Sequence, residues 1–323
     1  MKSNNEIQLR QLGKTGILVT PVGLGVMELA GGGGLIGRMF PIIPQEEKNA
    51  IIKAALDGGI NWFDTAEMYG AGVSEQSLAT GLKAAGKSDK DVVIATKWQP
   101  FLRTARNIPH TIADRLRFLE PYSISNYMIH QPYSFSSPEA EMNAMADLVE
   151  AGKIYSVGVS NFNPARMRRA QAALAKRGLP LAENQVRYSL LSREIETNGV
   201  LDTAKELGVT ITAYTPLGRG LLSGKYHKNP ELLRQMTGMR RALMQRNLER
   251  SRPLINAMEE MAGKYGVTIA QVALNWVINF HGEIVVTIPG ATKVKQAEEA
   301  AGAMKFRLSD DELARLDEVS RRL

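Results

Sequence analysis

The chain has 323 residues, 44% hydrophobic and 23% charged, with no cysteine and a formal net charge of +7. That is ample ordinary globular sequence for a core without staples. The missing cysteines exclude disulfides, a thiolate nucleophile and Cys-ligated metal, and they fit a reducing compartment. The opening MKSNNEIQLRQLGKTG lacks the apolar stretch of a secretory signal, and no run approaches the roughly 20 apolar residues needed to span a bilayer. A cytoplasmic protein is the expectation, with neither membrane nor nucleic acid as partner. The positive charge is scattered, and its main cluster, Arg166, Arg168 and Arg169, reads as the solvated face of a helix.

In chain order, LRQLGKTGILVTP predicts a small hairpin. Eight short apolar runs then alternate with amphipathic stretches: VGLGVM (22–27), INWFD (60–64), VVIATK (92–97), YMIH (127–130), IYSVGVS (154–160), AENQV (182–186), VTITAY (209–214) and IVVTIP (284–289). Runs apolar on both faces suit buried parallel strands. Helices are predicted near 46–58, 74–86, 104–118, 138–151, 164–177, 196–207 and 268–279, from apolar residues at three- and four-residue steps. Asn163 before Pro164 is a helix start, and Gly152, Gly178 and Gly208 are helix ends. A last helix begins at Ser309, with Glu312 completing a capping box. Eight strand–helix units without an internal linker predict one α/β domain over residues 1–323, a (β/α)8 TIM barrel, with a doubly wound open sheet as the alternative. Two connections read as long loops on the mouth of the barrel: residues 30–44, and about Gly218 to Arg252.

Four polar residues fall at the ends of three successive runs: Asp64 and Tyr69 in DTAEMYG, Lys97 ending VVIATK, and His130 ending YMIH. Singly, each has a bland explanation as a helix cap, a packing ring or a structural histidine. Together they are parts for delivering a proton to a carbonyl oxygen. A phenol titrates near pH 10, and a neighbouring ammonium is expected to lower that value. Asp64 is expected to pair with Lys97, and His130 to hydrogen-bond the carbonyl. Gly32 to Gly37 match G-x-G-x-x-G, but Pro41 and Pro44 follow where a dinucleotide fingerprint needs a helix, so a flap is the preferred reading. His110, His130, His227 and His281 have no metal-ligand spacing, and no metal is expected. Trp98 is expected to wall the pocket, and Arg38 and Arg103 read chiefly as solvated arginines.

Over nearly its whole length the chain resembles the aldo-keto reductases. GGINWFDTAEMYG, VVIATK, GKIYSVGVSNF, ENQVRYSLL, ITAYTPLGRGLLSGKY and IPGATKVKQAEEAAGAM occur in that family's order. The stretches RGLPLAENQVRYSLLSREIETNGV (177–200) and IPGATKVKQAEEAAGAM (288–304) look most like the pyridoxal reductase-like branch. The resemblance implies a barrel binding NADP(H) across its C-terminal face and reducing a small aldehyde or ketone. It implies Tyr69 as general acid, Asp64 and Lys97 as its tuning pair, and His130 as the carbonyl-positioning residue. It also implies cofactor contacts from Gly25, Val26, Met27 and Asp64. Ser160, Asn161 and Gln185 correspond to a clamp on the nicotinamide carboxamide, and Tyr214 to a ring stacked on the nicotinamide. Leu217 and Arg219 correspond to the pyrophosphate site. Gly290, Ala291, Thr292, Lys293, Gln296 and Glu299 correspond to the adenosine and 2′-phosphate site. The basic residue common at position 292 is absent, and Lys293 with Lys295 stands in for it. A non-catalytic, NADP-sensing subunit like the potassium-channel β-subunits is the alternative, and a Schiff-base aldolase using Lys97 is a third reading.

Overall fold

A computed structural model describes residues 7–33, 41–235 and 238–323. A two-residue hairpin, β1 (Arg10–Gln11) and β2 (Leu18–Val19), precedes eight parallel strands. These are β3 (Leu24–Gly25), β4 (Trp62–Asp64), β5 (Val93–Trp98), β6 (Asn126–Ile129), β7 (Ser156–Ser160), β8 (Leu181–Arg187), β9 (Thr210–Tyr214) and β10 (Val285–Thr287). Each pairs with its sequence neighbour. Bridges from Val22 to Thr287 and from Gly25 to Gly290 join the first strand to the last, so the sheet closes into the (β/α)8 barrel. All eight strands coincide with the apolar runs.

The helices are α1 (Gln45–Asp57), α2 (Val73–Ala84), α3 (Ile108–Leu119), α4 (Pro138–Glu150), α5 (Pro164–Ala175), α6 (Val200–Leu207), α7 (Lys225–Lys228), α8 (Gly238–Tyr265), α9 (Ile269–Asn279), α10 (Val294–Gly302) and α11 (Asp310–Arg321). The Asn163 side chain accepts from the Arg166 N–H, and Ser309 and Glu312 close their capping box. The principal hydrophobic core is the annulus between strands and helices.

Two expectations about the periphery change. The 218–252 region is largely helical rather than loop: α8 runs on from Gly238 through Pro253 to Tyr265. Leu221, Tyr226, Leu233 and Leu248 form a separate apolar cluster that anchors this segment. The basic cluster on α5 is not simply solvated. Arg168 pairs with Glu206, Arg169 binds Glu139 at 2.7 Å, and Arg166 lies against Glu141 and the Phe162 ring. Of the residues 30–44 segment, 34–40 lie outside the described residues, including Arg38 and the Gly34–Gly37 part of the glycine motif.

The hairpin caps the floor of the barrel. Arg10 donates to the Val285 carbonyl, the Gly13 N–H to Thr210, and Leu12 and Val19 pack with Trp62, Ala182 and Val286. Gly13 has φ +58°, and a Cβ there would stand 2.4 Å from the Ala182 carbonyl oxygen. Gly13→Ala is expected to cost about 1–3 kcal/mol in chemical denaturation, through strain and overpacking together.

Above the floor the interior is polar. Glu183 on β8 is fully buried; it accepts from Asn126 of β6 at 2.5 Å and from the Thr212 hydroxyl of β9. Gly158 on β7 leaves room for this group, since a Cβ there would lie 3.0 Å from Glu183 Cγ. Burial pushes the Glu183 carboxyl up to about 7, with Asp64 pushing the same way and Lys97 opposing. The folded chain therefore holds a proton that the unfolded chain has released between about pH 4.5 and 7, and this group makes stability fall as pH rises through that window. Glu183→Gln is expected to flatten that slope and to raise stability at pH 8 by roughly 1–3 kcal/mol, read from denaturation midpoints across pH. An unchanged slope would contradict a proton held there.

Candidate active site

The alternation of strand side chains sets the site. On β5, Lys97 points into the barrel, while Thr96 and Trp98 point outward to Glu75 and Asn107. Trp98 is fully buried behind the sheet and does not wall a pocket, contrary to expectation. Lys97 is also fully buried. Its ammonium donates to Asp64 Oδ1 at 2.5 Å and to the Thr65 carbonyl at 2.8 Å. Asp64 Oδ2 accepts from the Gln185 amide at 2.9 Å. Burial pushes the Asp64 carboxyl above its ordinary range, against the opposing pull of Lys97 and the bonds from Lys97 and Gln185.

Tyr69 and His130 meet over this pair. Their rings pack edge to face, 5.5 Å between centroids, and Lys97 Nζ lies 5.2 Å from the Tyr69 ring centroid. The four residues identified from sequence are thus brought together. The electrostatic expectation for Tyr69 is reversed: its hydroxyl is held well above the usual phenol range, not lowered. Burial is the main cause, followed by the charges of Asp64 and Glu28. The Lys97 charge is compensated by Asp64 before it acts on the phenol. His130 moves the other way, well below its ordinary range, through burial and then the Lys97 charge. Its Nδ1 is buried without a hydrogen-bond partner among the described residues. Near neutral pH the site presents an uncharged phenol and an uncharged imidazole.

A network missed in the sequence holds the Tyr69 loop. Glu67, in the same DTAEMYG segment, accepts from the Gln99 N–H at 3.0 Å and from Arg103 at 2.7 Å. Arg103 is therefore an anchor of this loop rather than a solvated arginine. Buried Arg115 on α3 lies 3.8 Å from Glu67 and 3.0 Å from Glu75, and Glu75 accepts from Thr96. The signal available in sequence was a second carboxylate, Glu67, inside the DTAEMYG segment that carries Asp64 and Tyr69.

The expected cofactor residues line the rim. Ser160 donates to the Gln185 carbonyl at 2.9 Å, and Asn161 donates to Ser160 and Gln131. Tyr214 donates to Asn161 Oδ1 at 3.0 Å. Gln185 spends one N–H of its amide on Asp64, which leaves its oxygen and the second N–H to serve a clamp. Asn161, Thr215 and Arg219 all have left-handed φ, from 56° to 59°. Non-glycine residues rarely adopt that conformation, a β-branched one least of all, and such strain concentrates at functional sites. Gly25, Val26 and Met27 lie where the first strand meets Gly290 of the last, and Val26 N donates to the Asp64 carbonyl. Ala291 is buried, Leu217 and Thr292 are half-buried, and Glu299 is pushed upward by burial. At the start of α10, Gln296 Oε1 accepts from the N–H groups of Thr292 and Lys293. The helix terminus is capped by the chain itself rather than left open, so an anion there must compete with Gln296. Arg219, Lys293 and Lys295 are exposed on the same rim and have no ion-pair partner among the described residues.

Among the described residues, no three His, Asp or Glu side chains are grouped to hold a metal, and no helix is long and apolar enough to cross a membrane.

Comparison with known proteins agrees with this geometry. Residues 21–321 match the model of the aldo/keto reductase family. The chain is 32% identical to the chloroplastic pyridoxal reductase of Arabidopsis thaliana, over 93% of this chain and 82% of that protein. It is also 32% identical to aldo-keto reductase str7 of Strobilurus tenacellus, over 94% and 89%. A solved structure, the thermostable aldo-keto reductase Tm1743 in complex with the inhibitor epalrestat, superposes with a TM-score of 0.76 at 27% identity, covering 97% of this chain and 99% of that one. The chain belongs to the aldo-keto reductase family of oxidoreductases, which use a nicotinamide cofactor.

Proposed function

We propose that this protein reduces an aldehyde or ketone to an alcohol, with NADPH as cofactor and Tyr69 as proton donor. The observation that carries the reading is the convergence of Tyr69, His130 and the buried Lys97–Asp64 pair at one strand-end mouth. When bound, the cofactor supplies the hydride that adds to the carbonyl carbon. Tyr69 gives its hydroxyl proton to the carbonyl oxygen as negative charge builds there. A phenol held above its ordinary range remains a competent donor, because the alkoxide formed on hydride arrival is a far stronger base than a phenolate. His130, kept neutral, has an N–H with which to orient the same oxygen. Lys97, beside the Tyr69 ring, stabilises the phenolate left behind until solvent returns the proton.

The rim fits the cofactor proposed. The Tyr214 ring suits stacking on the nicotinamide, and the Ser160 and Asn161 polar groups suit the carboxamide. Exposed Arg219, Lys293 and Lys295 supply unpaired positive charge for a phosphate-rich ligand, which favours NADP over NAD. Pairing of Lys97 with Asp64 and Thr65 opposes the aldolase reading, which needs a free amine. The relative named pyridoxal reductase makes pyridoxal the first substrate to try.

NADPH consumption measured over a panel of aldehydes, ketones and pyridoxal is expected to give turnover with at least one class, and less with NADH. Tyr69→Phe is expected to lower kcat roughly 10²–10⁴-fold while NADPH affinity is unchanged. A variant as fast as the parent across the panel would remove Tyr69 from the chemistry.

A further inference from the structure

One titratable group in the mouth is unused by that mechanism. Glu28 lies in the short 3-10 turn Met27–Ala30, directly after β3. Its carboxyl reaches across the seam of the barrel to the loop after β10. Both oxygens lie within 2.4 Å of where a Cβ on Gly290 would be, so only glycine at 290 admits them. At this seam Gly25 bridges Gly290, and the Gly25 N–H donates to the Pro289 carbonyl. The two backbone segments assigned to the cofactor therefore meet here, and Glu28 stands between them.

The carboxyl has no ion pair and no side-chain hydrogen bond among the described residues. On the β4 side its charge acts on Tyr69; from the loop after β10 it meets uncharged Gly290. On α2, which packs against the turn, Ser74 bonds the Val26 carbonyl and Glu75 is turned away to Thr96 and Arg115. Among the described residues no cation offsets its charge. Burial accordingly pushes Glu28 up to about 7.

We infer that Glu28 is a proton-accepting residue of the cofactor groove, and that NADPH binding is accompanied by uptake of one proton from solvent at its carboxyl. This rests on the cofactor reading above. An ionised carboxylate beside a pyrophosphate repels it in a site with little water to screen the charges. The neutral acid carries no such charge and has an O–H to donate to a phosphate or ribose oxygen. The proton is accepted readily because burial has already brought the group close to neutrality.

The test is calorimetric titration of the full chain with NADPH at pH 7, 8 and 9, in two buffers of different ionisation heat. At pH 8 and 9 the 2′-phosphate, with a second pKa near 6, is close to fully ionised. The wild-type chain is expected to take up close to one proton per NADPH at pH 8, and its Kd is expected to rise toward tenfold per pH unit above that. Glu28→Gln and Glu28→Ala are both expected to take up none, to show a flat Kd, and to bind more tightly than wild type at pH 9. Retention of the wild-type proton count in both variants would assign the proton elsewhere and overturn the inference. NADPH binding without any proton uptake in wild type overturns it equally. Failure of NADPH to bind wild type at any pH removes the cofactor reading and this inference together.

Discussion

The ion pair of Lys97 with Asp64 is the constraint around which the rest of the site is arranged. Taking an ammonium out of water costs several kcal/mol unless it is paired and hydrogen-bonded. Lys97 is fully buried, so the barrel must supply its partners from neighbouring strands: Asp64 of β4 on one oxygen, and the Thr65 carbonyl beyond it. Asp64 in turn needs its second oxygen satisfied, and Gln185 on β8 does so across the barrel. One charge thus ties three strands together at their C-terminal ends. Compensation at 2.5 Å also limits how far this cation, 5.2 Å from the ring centroid, offsets what burial and the charges of Asp64 and Glu28 do to Tyr69.

The same strand links inside to outside. Because side chains alternate, the neighbours of Lys97 face the helices, and Thr96 bonds Glu75, which meets Arg115. Arg115 also approaches Glu67, held further by Arg103 and the Gln99 N–H. Glu67 is two residues from Tyr69. The loop bearing the phenol is therefore clamped from behind by charge-assisted bonds that never enter the mouth. Such support is what holds a donor in reach of its acceptor without reorganisation.

The barrel strands and the four central residues were legible because both signals are local. Short apolar runs mark buried parallel strands, and a polar residue ending such a run falls at the mouth. Trp98 was misread although its direction followed from Lys97 beside it: in a strand, an inward lysine requires an outward neighbour. The stretch before Pro253 was read as loop because α8 is rich in arginine there; Leu248 of that stretch packs with Leu221, Tyr226 and Leu233 from short neighbouring segments. Glu28 and Glu183 were invisible for a different reason. Their surroundings come from residues far along the chain, Gly290 for one and Asn126 with Thr212 for the other. The direction of the Tyr69 shift was beyond sequence for the same cause, since it depends first on how deeply the folded barrel buries the hydroxyl.

Burial acts in opposite directions on the two rings that face the mouth, and this gives the site its character. It raises a phenol and lowers an imidazole, because in each case it penalises the charged form. Tyr69 and His130 are both driven to neutrality. Carboxyls at Glu28 and Glu183 are drawn the same way, toward holding a proton. Behind the two rings sits the Lys97–Asp64 pair, whose charges cancel. A neutral phenol and a neutral imidazole, each with a hydrogen to offer, suit an oxygen that starts uncharged and becomes negative. A site built with a free ammonium at the mouth would bind anions in the ground state, whereas this one withholds its charge behind the donors until the phenol has given up its proton.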